Sequence, residues 1–268
     1  MGHRFLQEDE ELTSGPIAFI AAMRQEIKPF LKRIGPCRRD SLADLPVYRF
    51  ELFGRECFLF ECGIGRKRAA EGTAALIKAV RPALLVSFGV SGAVTEEIGV
   101  GDVIIGRTTC YLANAPQAPL MPLAFWSDEA VEAAARVLSK RGARLYAGTV
   151  VTTRGEVGVH LSAGSLQHPI LDMETAAIAQ VAAEQAIPLL SMRSISDSLD
   201  EPLPFNIPEA VGEDDTLKMG RIFVMMLRSP KLVPRFARFQ RNMSCATVNL
   251  VEALAAALMS ELSVQESS

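Results

Sequence analysis

An alternation constrains the fold of this chain more than any single motif. Short apolar runs recur along its length, and helical patterns separate them. Residues 17–23 follow Gly15-Pro16 and read as a buried first strand. Residues 25–32 then carry Ile27, Phe30 and Leu31 on one side of a helix. Residues 47–53 and 57–62 flank Gly54-Arg55, a hairpin signal. An Ala-rich helix over 67–80 stops before Pro82, and residues 83–89 (ALLVSFG) form a strand apolar on both faces. Strands over 101–106, 144–151 and 188–195, with helices over 128–140 and 175–186, continue the pattern. Such a chain must build a mostly parallel or mixed sheet covered on both sides. Its 268 residues, 49% hydrophobic and 22% charged, suffice for one large α/β domain or two small ones. No stretch rich in Pro, Gly or Ser marks a boundary between two.

Charge and cysteine usage narrow the function classes. A net charge of −3 gives no overall signal for nucleic acid. It hides an asymmetry, since residues 216–251 hold seven Lys or Arg and no acid. Cys37, Cys57, Cys62, Cys110 and Cys245 are odd in number and form no C-x-x-C pair, which points to reduced thiols in a cytoplasm. His3, His160 and His168 have no metal-ligand spacing, so no metal is expected. Residues 1–15 are polar and acidic, a flexible N-terminus and not a targeting signal. No uninterrupted apolar run reaches the ~20 residues that span a bilayer.

Chemistry gathers where apolar elements meet polar turns. Glu174, in Asp172-Met173-Glu174-Thr175, and Asp197, in Arg193-Ser194-Ile195-Ser196-Asp197, are separated by one helix and one strand, which should bring both to the same end of the sheet. Cys62-Gly63-Ile64-Gly65-Arg66 follows a strand and opens a helix, the arrangement that turns backbone N–H groups toward an anion. The acidic partner of a dinucleotide site is missing after it, which argues against a nicotinamide enzyme. Phe88-Gly89-Val90-Ser91-Gly92 makes room at the end of the central strand. Each residue also has a plain structural use. Asp172 can cap a helix, Glu174 can complement a helix dipole, Asp197 can start a turn, and Glu26 can be a solvated helix residue.

Four stretches in this order resemble the nucleoside phosphorylase and nucleosidase superfamily, and most of all its nucleosidases for 5′-methylthioadenosine and S-adenosylhomocysteine. They are Ala22-Met23-Arg24-Gln25-Glu26, Cys62-Gly63-Ile64-Gly65, Gly89-Val90-Ser91-Gly92 with Val100-Gly101-Asp102-Val103, and Asp172-Met173-Glu174 followed by Ser196-Asp197. The resemblance spans roughly residues 17–200. It implies a three-layer α/β/α fold around a mixed, partly barrel-like sheet, a single domain over 16–268 and a homo-oligomer. By resemblance, Asp197 protonates N7 of a leaving purine, with Ser196 orienting it. Glu174 binds the ribose hydroxyls, Met173 packs on the sugar, and Glu26 activates water. Cys62, Gly63, Gly89 and Ser91 line the substrate. No cofactor is implied, only water or inorganic phosphate as co-substrate.

Departures from the family pattern leave two questions open. Arg24 stands where the nucleosidases carry acids, and Arg66 with Arg68 follows the glycine turn, so Arg24 and Arg66 are candidate phosphate ligands of a phosphorylase. Residues 150–160 lack an aromatic to stack on the base. Residues 216–268 read as a helical, basic C-terminal extension, cut into short helices at Pro230 and Pro234, with proline at first-turn positions. Residues 218–241 interleave arginines with Leu, Met and Phe, which suits a peripheral membrane or lipid contact. This tail is similar to that of the nucleosidase-like branch of hopanoid biosynthesis, which would imply a lipid-bearing adenosine such as adenosylhopane. A non-catalytic nucleoside-binding protein is the rival from another class.

Overall fold

A computed structural model describes residues 15–42, 45–112, 119–154, 166–197 and 233–265. The first strand, β1 (Ile17–Ala21), is wholly buried and lies parallel to β4 (Arg55–Glu61) on one side and β5 (Leu84–Ala93) on the other. Between β1 and β4 the chain forms helix α1 (Arg24–Ile34) and an antiparallel ribbon of β2 (Arg38–Leu42) and β3 (Leu45–Leu52). The β3–β4 turn is Phe53-Gly54, one residue before the expected pair. Both residues have positive φ, 49° and 69°, as the commonest two-residue hairpin turn requires. Helix α2 (Arg66–Val80) leads into β5.

The second half closes a ring. Strands β6 (Val103–Tyr111), β8 (Leu145–Thr152), β9 (Ile170–Asp172) and β10 (Leu189–Asp197) pair in the order β10-β6-β8-β9-β5, and β10 also pairs with β5. The ring is mixed: β5–β10, β6–β8 and β8–β9 are parallel, whereas β6–β10 and β5–β9 are antiparallel. Ala93, Ile104, Val150, Ile170 and Ile195 form one buried apolar cluster drawn from all five strands. The short β7 (Met121–Pro122) hangs on β6.

Helices cover both sides of the sheet. Buried residues of α1, of α3 (Asp128–Ser139) and of α5 (Val233–Gln265) share one core cluster, which includes Phe30, Leu138 and Leu254. Residues of α2 and of α4 (Thr175–Glu184), among them Leu76 and Ile178, form the second. This is the expected α/β/α layering with a partly barrel-like sheet and a C-terminal helix.

The C-terminal region departs from the sequence reading. Helix α5 runs unbroken from Val233, with Pro234 inside its first turn, where the missing N–H is harmless. Its stretch Ala237–Leu262 is long and apolar enough to cross a membrane, although no uninterrupted apolar run exists there. More than half of the most apolar window is buried against the protein, as in a core helix. Residues 198–232, which include Lys218, Arg221, Arg228, Pro230 and Lys231 of the expected basic tail, lie outside the described residues, as do 1–14, whereas Arg235, Arg238 and Arg241 fall within α5. Leu254 is 0% exposed in the core shared by α1, α3 and α5. Leu254→Ala should therefore lower stability by about 2–5 kcal/mol, read as a shift of the denaturation midpoint at unchanged m-value.

Candidate active site

The site is built around two glycines of β5. Glu26 is the third residue of α1, and its Oε2 accepts the N–H of Met23 at 2.8 Å, which satisfies one free donor of the helix start. Its Oε1 accepts the N–H of Val90 at 2.9 Å. A Cβ on Gly89 would lie 2.7 Å from that Oε1, so the carboxylate fits only against glycine. Gly92 plays the same part for Asp197, whose Oδ2 would lie 2.7 Å from an added Cβ. Asp197 reaches this position because the register of β10 against β5 slips between Ile195 and Asp197. The slip leaves Ser196 as an extra residue, a bulge that re-aims the next side chain. Ser196 Oγ donates to Asp197 Oδ1 at 2.8 Å and reaches the Ser91 carbonyl at 3.4 Å.

Glu174 is buried beside the turn that opens α2. Gly63 and Gly65 both have positive φ there, 81° and 103°. The N–H of Gly65 donates to Glu174 Oε1 at 2.8 Å. The backbone donor that such a turn can offer to a phosphate is thus given to a carboxylate of the same chain. Met173, half-buried, donates its N–H to Glu174 Oε2 at 3.3 Å. Beneath lies a small pocket with room for about one water. Glu26, Cys62, Gly89, Val90, Glu174 and Arg193 are among its lining residues.

Burial dominates the electrostatics. It raises Glu26 to about 7, against the opposing hydrogen bonds from Val90 and Met23. It raises Glu174 to about 8, with the negative charge of Asp172 adding to the effect. Burial also raises Asp197, partly offset by the Ser196 hydrogen bond, and pushes the Cys62 thiol well up. Glu26 and Glu174 can therefore carry a proton near neutral pH, and Asp197 keeps its proton to higher pH than an ordinary aspartate, the condition for acid–base work.

Asp197, Ser196, Met173 and Gly63 are not among the residues that line this small pocket, and the remaining sequence candidates sit apart from it. Arg24 is exposed at the start of α1. Arg66 lies over the ring of Tyr111, 5.6 Å from its centroid, and does not line the pocket. Ser91 is buried, and its hydroxyl has no partner among the described residues. Most of the stretch in which a stacking aromatic was sought, 155–165, lies outside the described residues. Sequence reasoning overlooked Ser87, Thr152 and Thr175. Their hydroxyls bind Arg193, Asp172 and both of these respectively. A hydroxyl residue inside an apolar strand, Ser87 in ALLVSFG, was the signal available.

Residues 16–228 match the family described as the phosphorylase superfamily. The chain belongs to that superfamily. A 5′-methylthioadenosine/S-adenosylhomocysteine nucleosidase of Desulfotalea psychrophila is 32% identical over 201 residues, 69% of this chain and 85% of that protein. The corresponding nucleosidase of Staphylococcus haemolyticus is 27% identical over 74% of this chain and 92% of its own length. Among solved structures, the nucleosidase of Neisseria meningitidis in complex with methylthio-immucillin-A superposes with a TM-score of 0.64 at 22% identity, covering 92% of this chain and 99% of that one. A futalosine hydrolase mutant of Helicobacter pylori gives 0.64 at 16% identity, over 91% and 98%. Like these superfamily relatives, the protein is an enzyme that cleaves N-glycosidic bonds.

Proposed function

We propose that this superfamily member hydrolyses the N-glycosidic bond of a purine nucleoside with a 5′ substituent and releases adenine. The observation that carries the reading is the position of Glu26, a buried carboxylate on a pocket with room for about one water. In the proposed reaction Asp197 gives its proton to N7 of the base, so that adenine leaves uncharged. Glu174 holds the ribose hydroxyls, and the negative charge of this region stabilises the sugar as it becomes oxocarbenium-like. Glu26 takes the proton of the attacking water. Water is favoured over phosphate because Arg24 and Arg66 lie away from the pocket and the Gly65 amide is already taken. The nucleosidase names of the curated relatives support the substrate class.

Adenine release from 5′-methylthioadenosine, followed by chromatography with and without phosphate, tests the reading. The expected result is release at the same rate in both, with free methylthioribose as co-product. Release only with phosphate, yielding a sugar 1-phosphate, would make the enzyme a phosphorylase. Binding without turnover would make it a nucleoside-binding protein. A second reading, the lipid-bearing adenosine, is favoured by the exposed Arg238 and Arg241 early in α5. The ratio of kcat/KM for adenosylhopane in detergent to that for methylthioadenosine ranks the two. A cytoplasmic homo-oligomer is part of the proposal, supported by five free cysteines and by Leu120 and Phe125, exposed on either side of β7.

A further inference from the structure

Arg193 is 3% exposed and is the single cation among the described residues that line the pocket. It makes no hydrogen bond to either pocket glutamate. Its Nε donates to Asp172 Oδ2 at 3.3 Å, its Nη2 to Ser87 Oγ at 2.7 Å and Thr175 Oγ1 at 2.8 Å, and its Nη1 to the Met192 carbonyl at 3.1 Å. Asp172 is held as fully in return. Its Oδ1 accepts from Thr152 Oγ1 at 2.6 Å, and its Oδ2 accepts both the N–H of Thr175, at 2.9 Å, and the Thr175 hydroxyl. Glu26 and Glu174 are each cradled by two backbone N–H groups instead.

We propose that Asp172 is a positioning residue of the reaction: it occupies the Arg193 guanidinium, cancels its charge, and so leaves Glu26 and Glu174 without an ion-pair partner. The charged and titratable groups that surround the two glutamates fit this arrangement. Asp172 precedes Glu174 at the end of β9, Arg193 and Asp197 stand on β10, and Cys62 follows β4. From α2, the Arg68 side chain covers Gly63 and itself stands exposed to solvent. With Asp172 in place, the pocket holds two acids and no net cation. One of them can then stay protonated while the other is free to take a proton from water. Without Asp172, a buried guanidinium would face both glutamates uncompensated and hold both ionised. A carboxylate that served α4 alone, by accepting the Thr175 N–H, would need no arginine.

This inference rests on the hydrolytic reading, in which Glu26 is the base. The test is the pH profile of kcat/KM for 5′-methylthioadenosine, whose acid limb reports the base of the free enzyme. Asp172→Asn keeps the shape and the cap to Thr175, and should move the acid limb down by about one pH unit. Arg193→Gln should move it up, and the double variant should return it to the wild-type position. An unmoved limb in Asp172→Asn, with only a lower rate or melting temperature, would reduce Asp172 to a helix cap. If Asp172→Asn does not fold, the comparison of Arg193→Gln with the charge-free double variant decides in the same way. The pH dependence of the melting temperature reads the same carboxylates without turnover. Wild-type stability should fall between about pH 5 and 8 as the buried glutamates ionise, and less steeply in the folded variant that lacks Asp172 but keeps Arg193. Equal slopes would overturn the inference, whereas a missing acid limb with altered slopes would overturn only the assignment of Glu26.

Discussion

Asp197→Asn should lower kcat by about 10²–10⁴-fold and leave KM within a few-fold of wild type. Asparagine fits the same space over Gly92 and keeps a carbonyl oxygen to accept from Ser196, so the pocket holds its shape. What it cannot do is pass a proton to the departing base. Steady-state kinetics on 5′-methylthioadenosine, with a binding titration of the same substrate, reads both effects. Near-normal turnover would remove Asp197 as the acid. The raised proton affinity of Asp197 also fixes a direction. In the wild type, activity should fall on the alkaline side, where the folded enzyme loses this proton. The fall should begin at higher pH than an ordinary aspartate would allow.

Glu26→Gln should cost about as much turnover, by a different route and with a structural penalty. Both oxygens of Glu26 accept backbone N–H groups, from Met23 and Val90. An amide can serve only one of them and sets a donor against the other, at a cost of about 1–3 kcal/mol. The variant should therefore melt lower at acidic pH, where wild-type Glu26 is protonated and unstrained. The order should narrow as pH rises. In the wild type the folded-state value of about 7 lies above the ordinary 4.5, so folding takes up a proton between them. The stability that Glu26 contributes is complete below about 4.5 and is lost as pH rises to about 7. A glutamine has no proton to lose, and its profile should be flatter. Unchanged hydrolysis in Glu26→Gln would mean that another group activates the water.

The core layers were legible because their period was unambiguous. Residues 83–89 are apolar on every face, and only a central strand buries such a run. Elements that lacked that signal were not read. The strand β2, with the sequence RRDSL, is a polar sheet edge, and β9 is three residues long. Pro234 does sit in a helix's first turn, as read, but the helix it opens runs 33 residues and is not short. Glu26, Glu174 and Asp197 were named from the resemblance, by residue type and order along the chain. The burial that raises Glu26 and Glu174 was not read, since it depends on packing between elements. The partners of Asp172 escaped for a related reason: Thr152, Thr175 and Ser87 come from β8, α4 and β5, and only closure of the ring brings them together. Spacing along the sequence cannot show that.

Closure of the ring also determines when, during synthesis, the enzyme comes into being. Strand β5 pairs with residues 17–20 on one edge and with 189–197 on the other. Its two neighbours thus leave the ribosome about ten to thirty seconds apart at ordinary elongation rates. Until the later one arrives, an apolar edge of β5 stands open, a template for pairing with another chain. Helix α5, which seals the layer shared with α1 and α3, arrives last of all. Long-range pairing of this kind folds slowly. Cells making this protein quickly should lose more of it to aggregates than cells making it slowly, and a chain stopped before residue 189 should be insoluble rather than merely inactive.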